Sequence, residues 1–230
     1  MQDIGHAHLH LPRLKLAVLT IVLNLAILIA LAFAPWSDWR TGLALLLLDN
    51  GILLTYALAC RDELILRLIA FGLLVGLLEL AADAWIVDST KSLDYSLGGG
   101  PMIWRSPIWM PLAWEIVVIQ FGYLGMLLAD RFPRRGLLLT TVIGSLALLF
   151  YEEMAFHAQW WRYQNARMLP GTHIPLAIII GEFFIIFAIA WLAPKIRRPS
   201  RLSPVVPALL TGVAIFLSYA TAYRLILQVR

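Results

Sequence analysis

The chain has 230 residues, of which 61% are hydrophobic and 14% charged, with a net charge of +4 and a mean hydropathy of +0.81. Soluble domains carry about 25% charged residues, so this composition excludes an ordinary globular domain. It also excludes a nucleic-acid-binding domain, because the basic residues lie in loops between apolar runs. The single cysteine, Cys60, excludes an internal disulfide and a multi-cysteine metal site.

The chain begins with a polar segment, residues 1–15, in which His6, His8 and His10 alternate. Alternation places the three imidazoles on one side of an extended tail, where they can hold a metal ion. A mobile cytoplasmic tail is the simpler interpretation. The apolar run at about 16–34 is too long for the core of a signal peptide, so we interpret it as an uncleaved first helix.

Six further apolar segments have about the 20 residues that a helix needs to span a bilayer. The loops between them combine charge with Pro or Gly, as turns require. We place these segments at roughly 41–60, 64–87, 108–129, 136–157, 172–194 and 204–227. The predicted fold is therefore an all-α polytopic membrane protein, with a single seven-helix domain over residues 1–230.

Lysine and arginine in the loops predict the orientation of such a protein, because positively charged loops stay in the cytoplasm. The side of the amino terminus carries eleven basic residues and the opposite side seven. The eleven are Arg13, Lys15, Arg61, Arg67, Arg131, Arg134, Arg135, Lys195, Arg197, Arg198 and Arg201, and the seven are Arg40, Lys91, Arg105, Arg162, Arg167, Arg224 and Arg230. We expect a bacterial inner-membrane protein with a cytoplasmic amino terminus and an external carboxyl terminus.

The acidic residues of the predicted helices all fall in the outer half, away from the amino-terminal side. They are Asp49, Glu79, Asp83, Glu115, Glu152, Glu153 and Glu182. Charged groups at membrane depth are costly and usually face a protein interior or a wet cavity. The sequence therefore predicts one outer-half site to which several helices contribute carboxyl groups.

These acids follow an internal pseudo-repeat that relates helices 3–4 to helices 5–6. In each copy an apolar segment ends in carboxylates and a tryptophan, a proline-bearing loop follows, and the next segment carries a glutamate in its first turns. The first copy runs from Glu79 to Glu115 and the second from Glu152 to Glu182.

Helical spacing predicts which of these residues share a face. The stripes are Gly72, Gly76, Glu79 and Asp83 on the third helix and Pro111, Glu115, Val118 and Gly122 on the fourth. Glycines in such a stripe let a neighbouring helix approach closely. On the fifth helix Glu153, His157 and Trp160 share a face, and Glu152 points about 100° away.

Simpler roles stay open for some of these side chains. Asp83 or Glu152 can form an ion pair with Arg105 or Arg162 in the outer loops. His157, one turn beyond a glutamate, fits three roles: a metal ligand, a proton relay or a structural hydrogen-bonding group.

Carboxyl groups in a pocket walled by aromatic rings suit the protonation of an alkene and the steering of the carbocation that follows. Aromatic faces stabilise such a cation, and a long isoprenoid can enter from the bilayer. We predict the catalytic set Glu79, Asp83, Glu115, Glu153, His157 and Glu182, and the substrate-contacting set Trp85, Trp114, Trp160 and Tyr219. We expect no metal and no cofactor.

The segment PLAWE, residues 111–115, places a tryptophan and a glutamate together in a predicted membrane helix. In this the chain resembles the small all-helical integral-membrane terpene cyclases of fungal meroterpenoid pathways. Its duplicated acids, over about 79–182, are similar to those of membrane-embedded lycopene cyclases and carotenoid hydratases, although the lycopene cyclase Pro-x-Glu-Glu run is missing. The resemblance implies proton-initiated cyclisation, hydration or isomerisation of an isoprenoid or carotenoid-like lipid, with Glu115 as proton donor.

Rival functions fall into three classes. The seventh segment contains no lysine, which excludes a retinal Schiff base there. A proton-coupled transporter stays open, because intramembrane acids also mark ion paths, although no acid lies in the cytoplasmic half and mid-span Pro/Gly breaks are lacking. A non-catalytic lipid-binding subunit also stays open, with the acids paired to loop arginines.

Overall fold

The structure, a computed structural model, describes residues 10–197 and 204–228. This part of the chain contains seven long helices: α1 His10–Ala32, α2 Trp39–Ala59, α3 Glu63–Trp85, α4 Met110–Arg131, α5 Gly136–His157, α6 Leu176–Leu192 and α7 Val205–Gln228. Each of the seven is long and apolar enough to cross a membrane. The all-α class and the number of apolar helices are thus confirmed.

Two boundaries differ from the sequence prediction. Helix α1 begins at His10, so residues 10–15 belong to the helix and not to a tail. Pro12 permits this because a proline in the first turn removes no intrahelical hydrogen bond. Helix α6 is shorter than predicted, begins only after Pro175, and continues beyond Leu192 as a 3₁₀ turn.

Local capping explains where two other helices begin. The carboxylate of Asp38 accepts a hydrogen bond from the backbone N–H of Arg40 at the start of α2. The carboxylate of Asp62 accepts from the N–H groups of Leu64 and Ile65 at the start of α3. Side-chain caps of this kind satisfy N–H groups that have no partner within the helix.

The two ends of the bundle have different structures. We call the end that carries the connections 33–38, 86–109 and 158–175 the loop end, and the opposite end the tail end. At the tail end the guanidinium of Arg13 donates two hydrogen bonds of 2.7 and 2.9 Å to the buried carboxylate of Asp62. Arg197 donates to Asp130 at 2.8 and 2.7 Å. These ion pairs tie α1 to α3 and the end of α6 to α4.

The loop end contains four two-residue strands that the sequence did not predict: β1 Leu93–Asp94, β2 Met102–Ile103, β3 Ser106–Pro107 and β4 Arg162–Tyr163. A π-helical turn, Ile86–Thr90, leads from α3 into this region. Strands of two residues show no hydrophobic alternation, so a pattern search has nothing to detect. Strand β2 pairs with β3 as a hairpin, and β1 pairs with β4 in antiparallel register.

The β1–β4 pair joins the two long loops to each other. Leu93 lies opposite Tyr163, and Asp94 opposite Arg162. Arg162 donates hydrogen bonds of 2.9 and 2.8 Å to Asp94. Partial burial acts to raise the pKa of Asp94, but hydrogen bonds from Ser96 and Arg162 outweigh it and hold that pKa below its usual value. The carboxylate therefore stays ionised and keeps the loops together at neutral pH.

Helices α3 and α4 pack closely along the two stripes predicted from the sequence. A Cβ atom added at Gly72 would lie 2.8 Å from the carbonyl oxygen of Glu115, and one added at Gly76 would lie 2.8 Å from the Cα of Pro111. Both distances are far inside van der Waals contact, so these helices touch backbone to backbone. The glycine stripe is therefore a helix-packing feature, as predicted.

The outward faces of the bundle are apolar. Large exposed hydrophobic side chains occur on every described helix except α4, which lies inside the bundle, and on α5 they are Leu138, Leu139, Val142, Ile143 and Leu146. Monomeric soluble proteins rarely expose contiguous apolar surface of this extent.

We predict that Gly76→Ala destabilises the protein by about 1–3 kcal/mol, because the added methyl group overpacks the α3–α4 contact. Gly51→Ala is the matched control, since a Cβ at Gly51 meets no atom within 4 Å. Removing a helical glycine there should leave the melting temperature in detergent unchanged or higher. Equal melting temperatures for the two variants would contradict the close contact.

Candidate functional site: a carboxyl-lined cavity at the loop end

A cavity of about 110 Å³ lies inside the bundle at the loop end. Four carboxyl side chains line it, and they come from three helices: Glu79 and Asp83 from α3, Glu152 from α5 and Glu182 from α6. The remaining polar wall consists largely of aromatic side chains, namely Tyr95, Trp109, Trp114, Tyr151, Trp160, Trp161, Tyr163 and Tyr219. The predicted meeting of acids from separate helices in one hollow is thus present in the structure.

The first pair of acids lies one helical turn apart on α3. Asp83 accepts hydrogen bonds from the hydroxyl of Tyr95 and, at 2.8 Å, from the hydroxyl of Ser106. Glu79 contacts Asp83 and the indole of Trp114. One oxygen of Glu79, Oε2, is buried and has no hydrogen-bond partner among the described residues. Asp83 is thus anchored by loop hydroxyls, whereas Glu79 has an oxygen available to a ligand.

The second pair joins α5 to α6. Glu152 accepts a hydrogen bond of 2.8 Å from Nε1 of Trp161. It also contacts Tyr163 and Glu182. Glu182 is 1% exposed, and its Oε2 is buried without a partner in the described part of the chain. Each pair therefore has one acid held by donors from the loops and one acid with an unused oxygen.

Within residues 10–197 and 204–228, no lysine, arginine or histidine lines the cavity. The two loop arginines that could have neutralised these acids bind elsewhere, Arg162 to Asp94 and Arg105 to Asp88. The interpretation of Asp83 and Glu152 as partners of these arginines is therefore wrong. A cluster of carboxyl groups without a nearby cation is an unusual arrangement in a buried site.

Tryptophans from the loops and helix ends close the cavity. The ring centroids of Trp109 and Trp160 are 5.6 Å apart, and those of Trp109 and Trp161 are 6.1 Å apart. Nε1 of Trp160 donates to the hydroxyl of Thr41 at 3.1 Å, which fixes the cluster to α2. A Cβ at Gly42 would lie 3.2 Å from the ring of Trp109, so the rings pack tightly against this glycine.

Two loop tyrosines complete the wall beside the acids. Burial raises the pKa of Tyr95 well above its usual value, and the neighbouring Asp83 raises it further. Burial and the neighbouring Glu152 do the same for Tyr163. Both phenols therefore stay protonated and act as hydrogen-bond donors.

Six of the predicted site residues line the cavity: Glu79, Asp83, Trp114, Trp160, Glu182 and Tyr219. Tyr219 reaches it from α7 because its ring packs against Gly181, where a Cβ would collide with the ring. Four predicted residues do not line it: Trp85, Glu115, Glu153 and His157.

Glu115 is buried at 3% exposure but lies in the α3–α4 contact, where its backbone faces Gly72. The spacing rule placed it correctly on the packing stripe of α4. That stripe, however, is occupied by the helix-helix contact, and the cavity is lined instead by the adjacent Trp114. The structure therefore does not bring Glu115 to the other acids.

On α5 the predicted faces are reversed. Leu148, Tyr151 and Glu152 line the cavity at helical spacing, whereas Glu153 and His157 lie outside it. Glu153 accepts hydrogen bonds from the backbone N–H and the ring of His173. The sequence gives the angle between Glu152 and Glu153 but not which of the two faces the bundle, because α5 has apolar residues on both sides.

Trp85 lies in a second cavity of about 270 Å³, which is also lined by Tyr223, Arg167 and Arg224. Its ring packs edge-on against Phe216 and Tyr223, with centroids 6.0 and 5.9 Å away. Sequence reasoning also missed Tyr95, Trp109, Trp161 and Tyr163 as wall residues. The sequence did show that aromatic residues are enriched near a predicted membrane boundary. Such enrichment does not indicate where a loop side chain points.

A group of buried polar side chains lies nearer the middle of the bundle. Asp49 on α2 is fully buried, and neither of its oxygens has a partner that meets hydrogen-bond geometry among the described residues. The amide of Asn24 on α1 lies close to it. Tyr151 on α5 lies 3.4 Å from the amide oxygen of Gln120 on α4. Asn24 and Tyr151 also line the cavity, so this group adjoins the inner end of the site.

A set of possible metal ligands lies beside the cavity. The side chains of Glu153, His157 and His173 place ligand atoms within 4.8 Å of one another. His173 was not singled out from the sequence. The amino-terminal His6 and His8 lie outside the described residues, and His10 begins α1.

Comparison with known proteins gives a family. No curated protein and no solved structure was found that matches the chain. A family model described as a domain of unknown function, DUF6989, matches residues 80–226. The match includes Asp83, Glu152 and Glu182 together with both long loops that close the cavity, and it covers more than half of the chain. The protein therefore belongs to the DUF6989 family.

Proposed function

We propose that the protein is an integral membrane enzyme that performs acid–base chemistry on an apolar lipid of isoprenoid type in the loop-end cavity. One observation carries this proposal. Four carboxyl groups face a single cavity walled by aromatic rings, and in the described part of the chain no cation lines that cavity. A structural role would favour ion pairs, whereas a proton-transfer site needs carboxyl groups that can gain and lose protons.

Insertion in a membrane is part of the proposal. The apolar outer faces of the helices support it, since lipid can cover them. The tail end carries most of the basic residues, which favours a cytoplasmic tail end and an external loop end. The cavity then opens in the outer half of the bilayer, where an apolar substrate is concentrated.

The two acids of each pair differ in their hydrogen bonds, which suggests a different role for each. Four negative charges in one cavity would repel strongly without a counter-cation, so we infer that each pair shares a proton. Asp83 and Glu152 accept hydrogen bonds from loop donors, which suits them to hold negative charge. Glu79 and Glu182 each keep one oxygen without a partner, which suits them to donate a proton to a substrate or accept one from it.

This arrangement fits the reaction class of the terpene and lycopene cyclases that the sequence resembles. One free acid protonates an alkene, the indole and phenol rings stabilise the carbocation, and the carboxylate of the opposite pair removes a proton to restore the alkene. The net result is isomerisation or cyclisation without loss or gain of a proton. In this proposal Glu79 or Glu182 takes the donor role that the resemblance assigned to Glu115.

The size of the cavity limits what can be bound. Pockets that enclose a drug-sized ligand are about 300–1,000 Å³, and this one is about 110 Å³. It therefore encloses only the reacting segment of a long lipid. The apolar part of the cavity wall, which includes Leu28, Leu45, Leu46 and Val117, would contact that segment, and the rest of the lipid would extend outside the cavity.

The pseudo-repeat stays a prediction within this proposal. Helices α3 and α5 both contribute acids from their loop ends, and α6 contributes Glu182 from its first turns. The corresponding residue of the first copy, Glu115, packs against α3 instead. Divergence of one copy would explain why the two halves contribute different numbers of acids.

The catalytic proposal predicts that Glu182→Gln lowers lipid conversion by at least about 100-fold, the usual contribution of a positioned acid or base. The protein would be expressed in bacteria that make linear polyprenyl and carotenoid lipids, and the lipid extracts compared by mass spectrometry. Glu79→Gln should give the same loss. Asp88→Asn is the matched control, because Asp88 is an exposed loop-end acid that pairs with Arg105.

Glu115→Gln discriminates between the structure and the resemblance. Because Glu115 lies outside the cavity, we predict that the Glu115→Gln variant converts lipid faster than the Glu79→Gln and Glu182→Gln variants. A loss confined to Glu115→Gln would contradict the cavity as the reaction site. Identical lipid extracts with and without the parent protein, across the whole panel, would reject catalysis and leave a lipid-binding role.

A proton-coupled transporter is the second candidate, and the buried polar group in mid-bundle favours it. Asp49, Asn24, Gln120 and Tyr151 extend the polar groups of the cavity toward the tail end, where the hydroxyls of Tyr56 and Tyr123 are also buried without partners in the described residues. Polar side chains at this depth are typical of ion paths. One of the two sequence arguments against a transporter, that no acid lies in the cytoplasmic half, considered only acids, and these neutral groups weaken it.

The transporter alternative predicts proton movement that depends on Asp49. Liposomes that contain the protein and an internal pH-sensitive dye would acidify under an inside-negative potential, and Asp49→Asn would slow this by at least about tenfold, since one buried carboxyl typically controls such a path. Asp130→Asn, an exposed tail-end change, serves as control. A rate equal to that of protein-free liposomes would reject the transporter.

A further inference from the structure

Three side chains converge outside the carboxyl cavity, on the surface of the loop end. Glu153 and His157 lie one turn apart at the end of α5, and His173 lies in the loop that precedes α6. Their ligand atoms lie within 4.8 Å of one another. We propose that these three residues bind a divalent transition-metal ion of the Zn²⁺ type. The proposal does not depend on the function of the cavity.

The geometry is close to that of a metal site already. Both imidazoles point at the same oxygen of Glu153, Oε1: Nδ1 of His173 is 2.8 Å away and Nε2 of His157 is 3.2 Å away. Ligand atoms of a tetrahedral zinc site lie about 3.3 Å apart, given bond lengths of about 2.0–2.1 Å. Both distances to Oε1 are thus within about 0.5 Å of that value. The ligand atoms of the two imidazoles lie within 4.8 Å of each other, so the rings would move toward each other by up to about 1.5 Å to hold an ion.

Neighbouring groups hold two of the three ligands in orientation. The backbone N–H of His173 donates to the second oxygen of Glu153, Oε2, at 2.9 Å, which leaves Oε1 facing the two rings. The imidazole of His173 stacks on the ring of Phe156 at a centroid distance of 3.7 Å and an interplanar angle of 10°. Supporting contacts of this kind fix ligand geometry and raise metal affinity.

The ligand types indicate which ions fit. Two imidazoles and one carboxylate suit Zn²⁺ and its transition-metal neighbours, whereas Mg²⁺ and Ca²⁺ prefer ligand sets made of oxygen. The exposed fractions of the side chains are 43% for His157 and 45% for His173, so an ion can enter from solution. Three protein ligands leave a fourth position for water or another donor.

A bound ion would crosslink the carboxyl-terminal end of α5 to the loop before α6. Both connected segments lead directly to cavity residues, since Glu152 precedes Glu153 and Glu182 lies on α6. The simpler interpretation is a hydrogen-bonded contact without an ion. It uses the same two imidazole contacts to Oε1, but it predicts no metal affinity.

Metal titration separates the two interpretations. The amino-terminal histidines would bind zinc on their own, so all variants would be made in a chain in which His6, His8 and His10 are replaced by alanine. Isothermal titration of this detergent-purified chain with Zn²⁺ should show one ion per chain. Co²⁺ in place of Zn²⁺ should give the visible absorption bands of a site with mixed nitrogen and oxygen ligands.

His157→Ala and His173→Ala should each weaken Zn²⁺ binding by at least about tenfold. Loss of a residue that only supports a metal ligand already lowers affinity by about 10–100-fold, and loss of the ligand itself should lower it by no less. Gln164→Ala is the matched control in the same loop, since its side chain is exposed, and it should bind as the parent does. Because the replaced histidines are largely exposed, gel-filtration profiles should not change. Absence of Zn²⁺ binding by the parent, or equal affinity in the His157→Ala/His173→Ala double variant, would overturn the proposal.

Discussion

Four carboxyl groups meet around one small cavity, and among the described residues no cation lines its wall. The rest of the structure depends on this constraint. Isolated charges of one sign are too costly to bury together, so the surrounding elements must supply hydrogen-bond donors and the acids must share protons. The loops supply those donors through Tyr95, Ser106 and Trp161. Two acid oxygens are left without partners in the described residues, and they mark the part of the site that a ligand would contact.

Helix packing brings the acids within reach of one another. Gly72 and Gly76 allow α3 to touch the backbone of α4, which places Glu79 against the indole of Trp114. Gly181 allows Tyr219 of α7 to pack beside Glu182 of α6. Because backbone contacts of this kind leave no room for side-chain adjustment, the positions of the acids are set by the helices and not by flexible loops. Such preorganisation is what a proton-transfer site requires.

The loop end does more than connect helices. The β1–β4 pair holds the two long loops together. Within this pair Arg162 forms an ion pair with Asp94, so its charge is neutralised there and not by an acid of the cavity. The same region carries the three ligands of the proposed metal site, of which Glu153 directly follows Glu152 in the sequence.

The sequence by itself determined the seven apolar helices, the glycine stripe of α3 and the concentration of acids at one end, because hydropathy and helical spacing are local properties of the chain. Only the tertiary structure decided which acids meet. Glu152 and Glu153 are neighbours in sequence, and the rotation of α5 about its axis turns Glu152 inward and Glu153 toward His173. Glu115 lies on the predicted stripe, yet α3 covers that stripe. Helix rotation and loop pairing depend on contacts between distant segments, and no local pattern encodes them.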